Sequence, residues 1–206
     1  MAAGSSAANA AGQTLFPYCF GTERVADSGG QQRGSTLPYK GDEKMFKPGF
    51  HHLAFACRDI HETHRFYTQV LGFDLIHTEA KKMGEGFMRH IFFDIGDGSC
   101  LAFFDLHGVG EPKNFKTEIS TGLDLPFWVN HLAFRGDTGR KKEVAAKLKA
   151  AGMEIKMELD HDWCQSMYFM DPNGIMLEIC EDTPGIVPNR EEAVRLLDAV
   201  PEAMAV

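Results

Sequence analysis

The sequence has no long apolar run and no export pattern at its start. No stretch approaches the roughly 20 consecutive apolar residues that a membrane-spanning helix needs, and the first residues lack the basic-then-apolar order of a secretory signal. We therefore expect a cytoplasmic protein with no membrane partner. Its 44% hydrophobic and 24% charged residues over 206 positions are typical of a globular chain that buries a core.

Positive charge is also scarce. The chain has 21 Lys and Arg against 29 Asp and Glu, which gives a formal net charge of -8. Basic residues are scattered apart from the short run at 140–142. Such a surface offers no electrostatic footprint for a phosphate backbone, so we expect no nucleic-acid partner.

Cysteine is present without a pattern. The five residues are odd in number and form no CxxC pair, which argues against a disulfide framework and a zinc ribbon and favours a reducing compartment. We interpret most of them as small buried hydrophobes. They are Cys19, Cys57, Cys100, Cys164 and Cys180.

What the sequence does contain is a repeat. Residues 52–55 read HLAF, and residues 131–134 read HLAF again. Each copy begins a run of elements with the periodicity of strand, helix and three strands, where capping residues such as Asp59 and Gly72 mark the first helix. The second helix is predicted from Thr138 to about Ala151, closed by Gly152. We predict an α+β fold of two βαβββ modules, at 50–110 and 127–182.

Two flanking segments lie outside the repeat. Residues 1–49 are predicted to be disordered at first and then irregular, because they are small, polar or rich in Gly and Pro. Residues 183–206 are predicted to be a helical tail, with a short helix at 191–200 capped by Asn189 and Glu192.

Strand alternation indicates which side chains share a face. His52 lies with Ala54 in the first copy, and His131 lies with Ala133 in the second. The small alanines leave space beside each histidine, as a metal and a substrate would require. The neighbouring His51 falls on the opposite face, and its match in the second copy is an asparagine, so we favour His52 as the candidate ligand.

The closing hairpins can be aligned by their turn glycines. Placing Gly98 on Gly174 puts Ala102 opposite Glu178 in the alignment. The second copy therefore has a carboxylate where the first has a methyl group. Glu178 interrupts an otherwise apolar buried strand, where an unpaired charge is costly, so it needs a partner.

These features together resemble the vicinal oxygen chelate superfamily, which includes glyoxalases, antibiotic-resistance thiol transferases and extradiol dioxygenases. The resemblance covers about residues 50–182 and implies that the two modules form a partly open mixed β-sheet barrel around a metal site. It implies the metal ligands His52, His131 and Glu178. Glyoxalase-like members have a second carboxylate ligand, one from each module. This sequence has Ala102 at the position of that ligand in the first module. Two imidazoles and one carboxylate form the facial triad of non-haem Fe(II) oxygenases.

A second match is more specific. His161, Met167, Tyr168, the turn at 171–174 and Glu178 reproduce the spacing of the closing signature of extradiol ring-cleavage dioxygenases, except for Leu159. The resemblance implies that His161 is an acid/base group and that Tyr168 orients the substrate. It further implies a catechol-like small-molecule substrate, O2, and Fe(II), with Mn(II), Zn(II) or Ni(II) as alternatives.

Two other functions remain open at this point. One is a metal-dependent glyoxalase- or epimerase-like lyase or isomerase, and the other is a small-molecule-binding protein without catalysis. Members of the superfamily are often dimers, which leads us to expect a homodimer. We interpret five further histidines as ordinary hydrogen-bonded core or surface residues: His61, His64, His77, His90 and His107.

Overall fold

The computed structural model of the protein describes residues 49–110 and 115–200. Its contacts divide into two compact units, of which the first ends at Phe115 and the second begins at Lys116. The segment before residue 49, predicted to be disordered and irregular, lies outside the described residues. None of the helices in the described ranges is long and apolar enough to cross a membrane.

In the described part of the first unit, a four-stranded mixed sheet is accompanied by an α-helix that continues into a π-helical turn. Its elements are β1 (His52–Ala56), α1 (Ile60–Arg65), β2 (Asp74–Met83), β3 (Gly86–Asp94) and β4 (Cys100–His107). The strand order is β1-β4-β3-β2. β1 runs parallel to β4, whereas the other neighbours are antiparallel.

The second unit repeats this arrangement. Its elements are β5 (His131–Arg135), α2 (Thr138–Ala150), β6 (Ile155–Asp160), β7 (Cys164–Met170), β8 (Met176–Asp182) and α3 (Arg190–Arg195). The order β5-β8-β7-β6 and the parallel pairing of β5 with β8 match the first sheet. The predicted α+β class with two βαβββ modules is confirmed.

The predicted helix caps are present. The Asp59 carboxylate accepts hydrogen bonds from the backbone N–H groups of His61 and Glu62, both at 2.8 Å. Gly152 follows α2 with a φ of 70°, a left-handed conformation that favours glycine at this position. Asn189 caps α3, but that helix ends at Arg195, followed by a 3-10 turn to Asp198, and so is shorter than predicted.

The first helix departs from the prediction in its last turn. After Arg65 it widens into a π-helical turn over Phe66–Val70. This turn places Tyr67 in the core with no exposed surface, beside the rings of Phe93 and Phe103. The wider turn therefore directs two successive aromatic side chains, Phe66 and Tyr67, into the buried region.

The register of each closing hairpin agrees with the alignment by turn glycines. Ala54 pairs with Ala102 in the first sheet, and Ala133 pairs with Glu178 in the second. Glu178 therefore occupies the position of Ala102. In the second unit, Lys141 of α2 reaches Glu181 of β8 at 2.7 Å, so α2 covers the face opposite Glu178.

Candidate functional site

The site in the second unit is built on β5 and β8. His131 is the first residue of β5, and the small side chain of Ala133 lies directly beside Glu178 on the neighbouring strand. Glu178 is only 4% exposed although it is a carboxylate. Burial of an isolated charge is strongly unfavourable, so the groups around this side chain decide what the site holds.

The imidazole of His131 is placed by two contacts. Nδ1 lies 3.0 Å from the backbone oxygen of Trp128, which can only accept, so this nitrogen carries the proton. Nε2 lies 3.1 Å from Oε2 of Glu178. A bare lone pair and a carboxylate oxygen repel each other at this distance, so the pair is arranged to hold a cation, either a proton or a metal ion.

The distance is suitable for a metal. Two donors in adjacent positions around one divalent ion, each bonded at about 2.1 Å, lie roughly 3 Å apart. Imidazole nitrogen and carboxylate oxygen are both common ligands of Fe, Mn, Zn and Ni. A metal-bound histidine almost always donates its other ring N–H to a carbonyl or carboxylate, as His131 does to Trp128.

Glu178 is oriented from its other side. The hydroxyl of Ser166 on β7 donates a hydrogen bond to Oε1, which leaves Oε2 turned toward His131. Ser166 is 3% exposed, so water competes little for this bond. No sequence motif marks Ser166, although its place two residues before Tyr168 puts it on the same face of β7.

The second predicted pair is also brought together. Tyr168 pairs with Glu178 across β7 and β8, and its hydroxyl lies 3.0 Å from Nε2 of His161. Burial is the main cause that raises the pKa of Tyr168 above its ordinary value. The phenol therefore stays protonated near neutral pH and can donate a hydrogen bond. His161 is the neighbouring side chain within hydrogen-bond distance of it.

The turn between β7 and β8 fixes this register. The carboxylate of Asp171 accepts hydrogen bonds from the backbone N–H groups of Asn173 and Ile175, at 2.9 and 2.7 Å. Asp171 is 4% exposed and faces into its own turn, so its role is structural. Gly174 completes the turn with a φ of 78°.

In the first unit, His52 is the first residue of β1. Its Nδ1 lies 2.8 Å from Nδ1 of His51, so one of these rings donates to the other. Burial, followed by the neighbouring His51, lowers the pKa of His52. Because His52 belongs to the first unit and His131 and Glu178 to the second, its membership of the same ligand set stays a prediction.

From the sequence, His90 is expected to be an ordinary hydrogen-bonded residue, but its surroundings in the structure are unusual. The side chain contacts the rings of Phe104 and Phe92, with centroids 3.7 and 4.1 Å away, and is 7% exposed. Nδ1 lies 3.6 Å from a Glu79 oxygen, whereas Nε2 has no hydrogen-bond partner among the described residues. Burial lowers the pKa of His90 despite the attraction of Glu79.

Comparison with known proteins agrees with this fold. A curated relative, Glyoxylase I 4 of Arabidopsis thaliana, is 27% identical over 153 residues, which cover 70% of this chain and 77% of the relative. A glyoxylase/bleomycin resistance protein/dioxygenase domain from Frankia sp. EAN1pec covers 67% of this chain and 100% of its own, with 19% identity and a TM-score of 0.52. The fosfomycin resistance protein FosX of Listeria monocytogenes covers 68% of this chain and 97% of its own, with 20% identity and a TM-score of 0.47.

A family model matches residues 49–179, which is more than half of the chain and spans the first βαβββ module and the second as far as its last strand. The match contains β1 with His52, β5 with His131 and β8 as far as Ile179, so it includes every predicted metal ligand. The chain belongs to the Glyoxalase/Bleomycin resistance protein/Dioxygenase superfamily.

Proposed function

We propose that this protein is a metal-dependent enzyme, specifically an Fe(II)-dependent extradiol-type dioxygenase that cleaves a catechol-like aromatic diol with O2. In this proposal His131, Glu178 and His52 bind the metal. The observation that carries it is the 3.1 Å approach of His131 Nε2 to Glu178 Oε2, with Nδ1 of the same ring committed to Trp128. That arrangement presents one nitrogen and one oxygen lone pair to a single ion.

The protein's contribution to metal binding is preorganisation. The Trp128 carbonyl sets the tautomer of His131, and the Ser166 hydroxyl holds one oxygen of Glu178. Both donors are therefore oriented before an ion arrives, and partners of this kind typically contribute 10- to 100-fold to metal affinity. When bound, Fe(II) with open coordination positions supplies a common binding point for the diol and O2.

Proton handling is assigned to the pair formed by His161 and Tyr168. A diol that binds as its anion must lose a proton, and ring opening later returns one to oxygen. His161 is assigned to accept and return that proton, because an imidazole nitrogen can act both as a base and, once protonated, as an acid. The Tyr168 phenol, which burial keeps protonated, donates a hydrogen bond to a substrate oxygen and orients it. A positioned acid/base group contributes about 10²- to 10⁴-fold to rate.

A feature of the first module favours a metal ion with open coordination positions. Ala102, buried and in register with Ala54, occupies the position where the second module has Glu178. A methyl group cannot bind metal, so the proposed set ends at three protein ligands. Three ligands leave room for both a chelating diol and O2, whereas a fourth carboxylate would occupy one of those positions.

A second candidate is a glyoxalase-like lyase or isomerase. The 27% identity to a curated relative named Glyoxylase I 4 favours it, although the absent carboxylate at Ala102 does not. It would use a redox-inert ion such as Ni(II) or Zn(II) in place of Fe(II). The superfamily description also includes a resistance protein, so a non-catalytic binder of small molecules is the third alternative.

One experiment separates the three functions. The purified chain is reconstituted with Fe(II) without air and then assayed for oxygen uptake over a panel of catechols. Uptake that depends on both Fe(II) and a diol, and that is lost in Glu178→Gln, supports the dioxygenase. Activity on a hemithioacetal with Ni(II) or Co(II), without oxygen uptake, supports the lyase, and metal or ligand binding without turnover supports the binder.

A further inference from the structure

The face of the second sheet that carries Glu178 also carries two thiols. Cys180 lies two residues after Glu178 on β8, and Cys164 lies two residues before Ser166 on β7, where Ser166 pairs with Cys180. Alternate residues of a strand share a face, so these side chains point to the same side. A Glu178 oxygen and the two sulfur atoms all lie within 4.8 Å of one another.

We propose that Cys164, Cys180 and Glu178 form a binding site for a thiophilic divalent cation such as Zn(II) or Cd(II). This site shares Glu178 with the site formed by His131 and Glu178. An ion in one site therefore competes for the carboxylate with an ion in the other. Thiophilic cations therefore compete with the catalytic metal. This competition rests on the proposed function, whereas the thiol site does not.

The donor set fits such an ion. Two thiolates and one carboxylate, with water as a fourth ligand, form a tetrahedral set of the type that Zn(II) accepts. Sulfur atoms at about 2.3 Å from a tetrahedral ion lie roughly 3.8 Å apart, so the present spacing of the ligand atoms needs a closure of about 1 Å or less. Soft thiolates select thiophilic cations, whereas the nitrogen and oxygen donors of His131 and Glu178 suit Fe(II) and Mn(II).

The Cys180 thiol starts in its protonated form. Burial, with a contribution from Cys164, raises the pKa of Cys180 to about 11. Coordination removes the proton from a thiol outright, so binding of one cation releases one proton from each sulfur to the solvent.

Cys164 is 1% exposed and Cys180 is half-buried. A hydroxyl also connects the cluster to the carboxylate, because Ser166 Oγ lies 3.7 Å from the Cys164 sulfur and donates to Glu178. Cys180 is thus the more exposed of the two sulfur ligands. The substitution Cys180→Ser therefore tests the site at its more accessible ligand.

Cadmium titration of the full chain tests the site. The protein is kept reduced with a phosphine, and the ultraviolet absorbance of thiolate bound to cadmium is followed. We expect a 1:1 transition in the wild type that weakens by more than tenfold in Cys180→Ser and in Cys164→Ser, since loss of a direct ligand exceeds the 10- to 100-fold effect of an outer partner. The matched controls Cys57→Ser and Cys19→Ser keep the transition.

An absent transition, or one of wild-type strength in Cys180→Ser, would overturn the proposal. Cys180 is the less buried thiol, so this variant remains decisive if Cys164→Ser does not fold.

Manganese distinguishes the thiol site from the proposed function. In a parallel titration, His131→Ala should lose Mn(II) binding and keep the cadmium transition, whereas Cys180→Ser should do the reverse. If His131→Ala binds Mn(II) like the wild type, the proposed catalytic site is wrong while the thiol site stands. If wild-type protein binds Mn(II) and Cd(II) together without displacement, the competition between the two sites is disproved.

Discussion

The hydroxyl of Ser166 donates a hydrogen bond to one oxygen of Glu178, and the other oxygen of that carboxylate lies 3.1 Å from Nε2 of His131. The three side chains come from three neighbouring strands of one sheet, β7, β8 and β5. Ser166 thus determines which oxygen faces the imidazole. Because the position of a ligand atom sets its affinity for a metal, a residue that need not touch the metal should still affect binding.

Replacement of Ser166 by alanine should weaken Mn(II) binding by 10- to 100-fold, because Glu178 then loses the bond that orients it. Titration calorimetry with Mn(II) measures the change. Ser99→Ala is a matched control, since Ser99 is also buried and bonded to a carboxylate, that of Asp97 in the first unit. Equal affinities in the wild type and Ser166→Ala would show that Ser166 does not position the ligand.

Substitutions of His161 and Tyr168 should affect turnover and leave the metal in place. His161→Gln removes the proton acceptor and should lower kcat by about 10²- to 10⁴-fold with little change in KM. Tyr168→Phe removes a donor to the substrate and should raise KM. Mn(II) affinity should stay within twofold in both variants, and the exposed His61→Gln is the control.

The two halves of this prediction can fail separately. Unchanged kcat in His161→Gln with a normal substrate would contradict the acid/base role. Loss of Mn(II) binding in either variant would show that the pair supports the metal ligands instead of the substrate.

His90 predicts a dependence of stability on pH. Its folded pKa is lowered by burial, so the unfolded chain binds a proton more readily than the folded chain does. The free energy of unfolding should therefore be constant above the unfolded pKa of about 6.5 and should decrease as the pH falls below it. Metal-free protein, measured by urea denaturation at pH 8 and pH 5.5 with chelator present, tests this.

The variant His90→Phe isolates the effect. It removes both the titration and the unpaired Nε2, a buried polar atom of the kind that costs about 1–3 kcal/mol. We expect its stability at pH 8 to equal or exceed that of the wild type, with a smaller loss at pH 5.5. An equal loss in both proteins would assign the pH dependence to other groups.

Gly174 and Gly98, the glycines of the two hairpin turns, allow a comparison of the same substitution in two similar turns. Gly174 and Gly98 both have a left-handed φ, of 78° and 89°, so alanine should cost about 1–2 kcal/mol at each from backbone strain. A methyl group at Gly174 would also meet the side chain of Glu118, whereas at Gly98 nothing lies within 4 Å. Gly174→Ala should therefore lower the free energy of unfolding more than Gly98→Ala, as measured by urea denaturation. Equal losses would contradict the close contact.

These positions also explain why the sequence predicted the register. Glycines with a positive φ mark the closing hairpins, and alternation then fixes every side chain along the following strand. The alignment of Ala102 with Glu178 could therefore be read from Gly98 and Gly174. Asp59 and Gly152 defined the helix ends in the same way, because caps depend on local chemistry.

Other features depend on contacts that a sequence does not display. The Trp128 carbonyl that fixes the His131 tautomer is a backbone group, so the residue type at this position does not predict the contact. The π-helical turn at Phe66–Val70 accompanies the packing of Tyr67 against Phe93 and Phe103, which are distant along the chain. The sequence alone predicted an ordinary helix over the same residues.

A third group could be placed from the sequence but not assigned a function. It consists of Ser166, Cys164 and Cys180. Once the turn at 171–174 is fixed, counting back along β7 places Ser166 opposite Cys180 and on the same face as Tyr168. The signal was therefore available. It was missed because serine and cysteine in a buried strand are usually unremarkable, and only the short distances among their side chains give them a role.

Mn(II) titration of the chelator-treated chain measures whether His131, Glu178 and His52 bind one divalent metal ion. We predict one ion per chain in the wild type, and affinities at least tenfold weaker in His131→Ala, Glu178→Gln and His52→Ala. His64→Ala, which alters a histidine outside the proposed set, should bind as the wild type does. Binding of wild-type strength in any of the three ligand variants would contradict that residue's role, and absence of binding in the wild type would show that these side chains hold no metal ion.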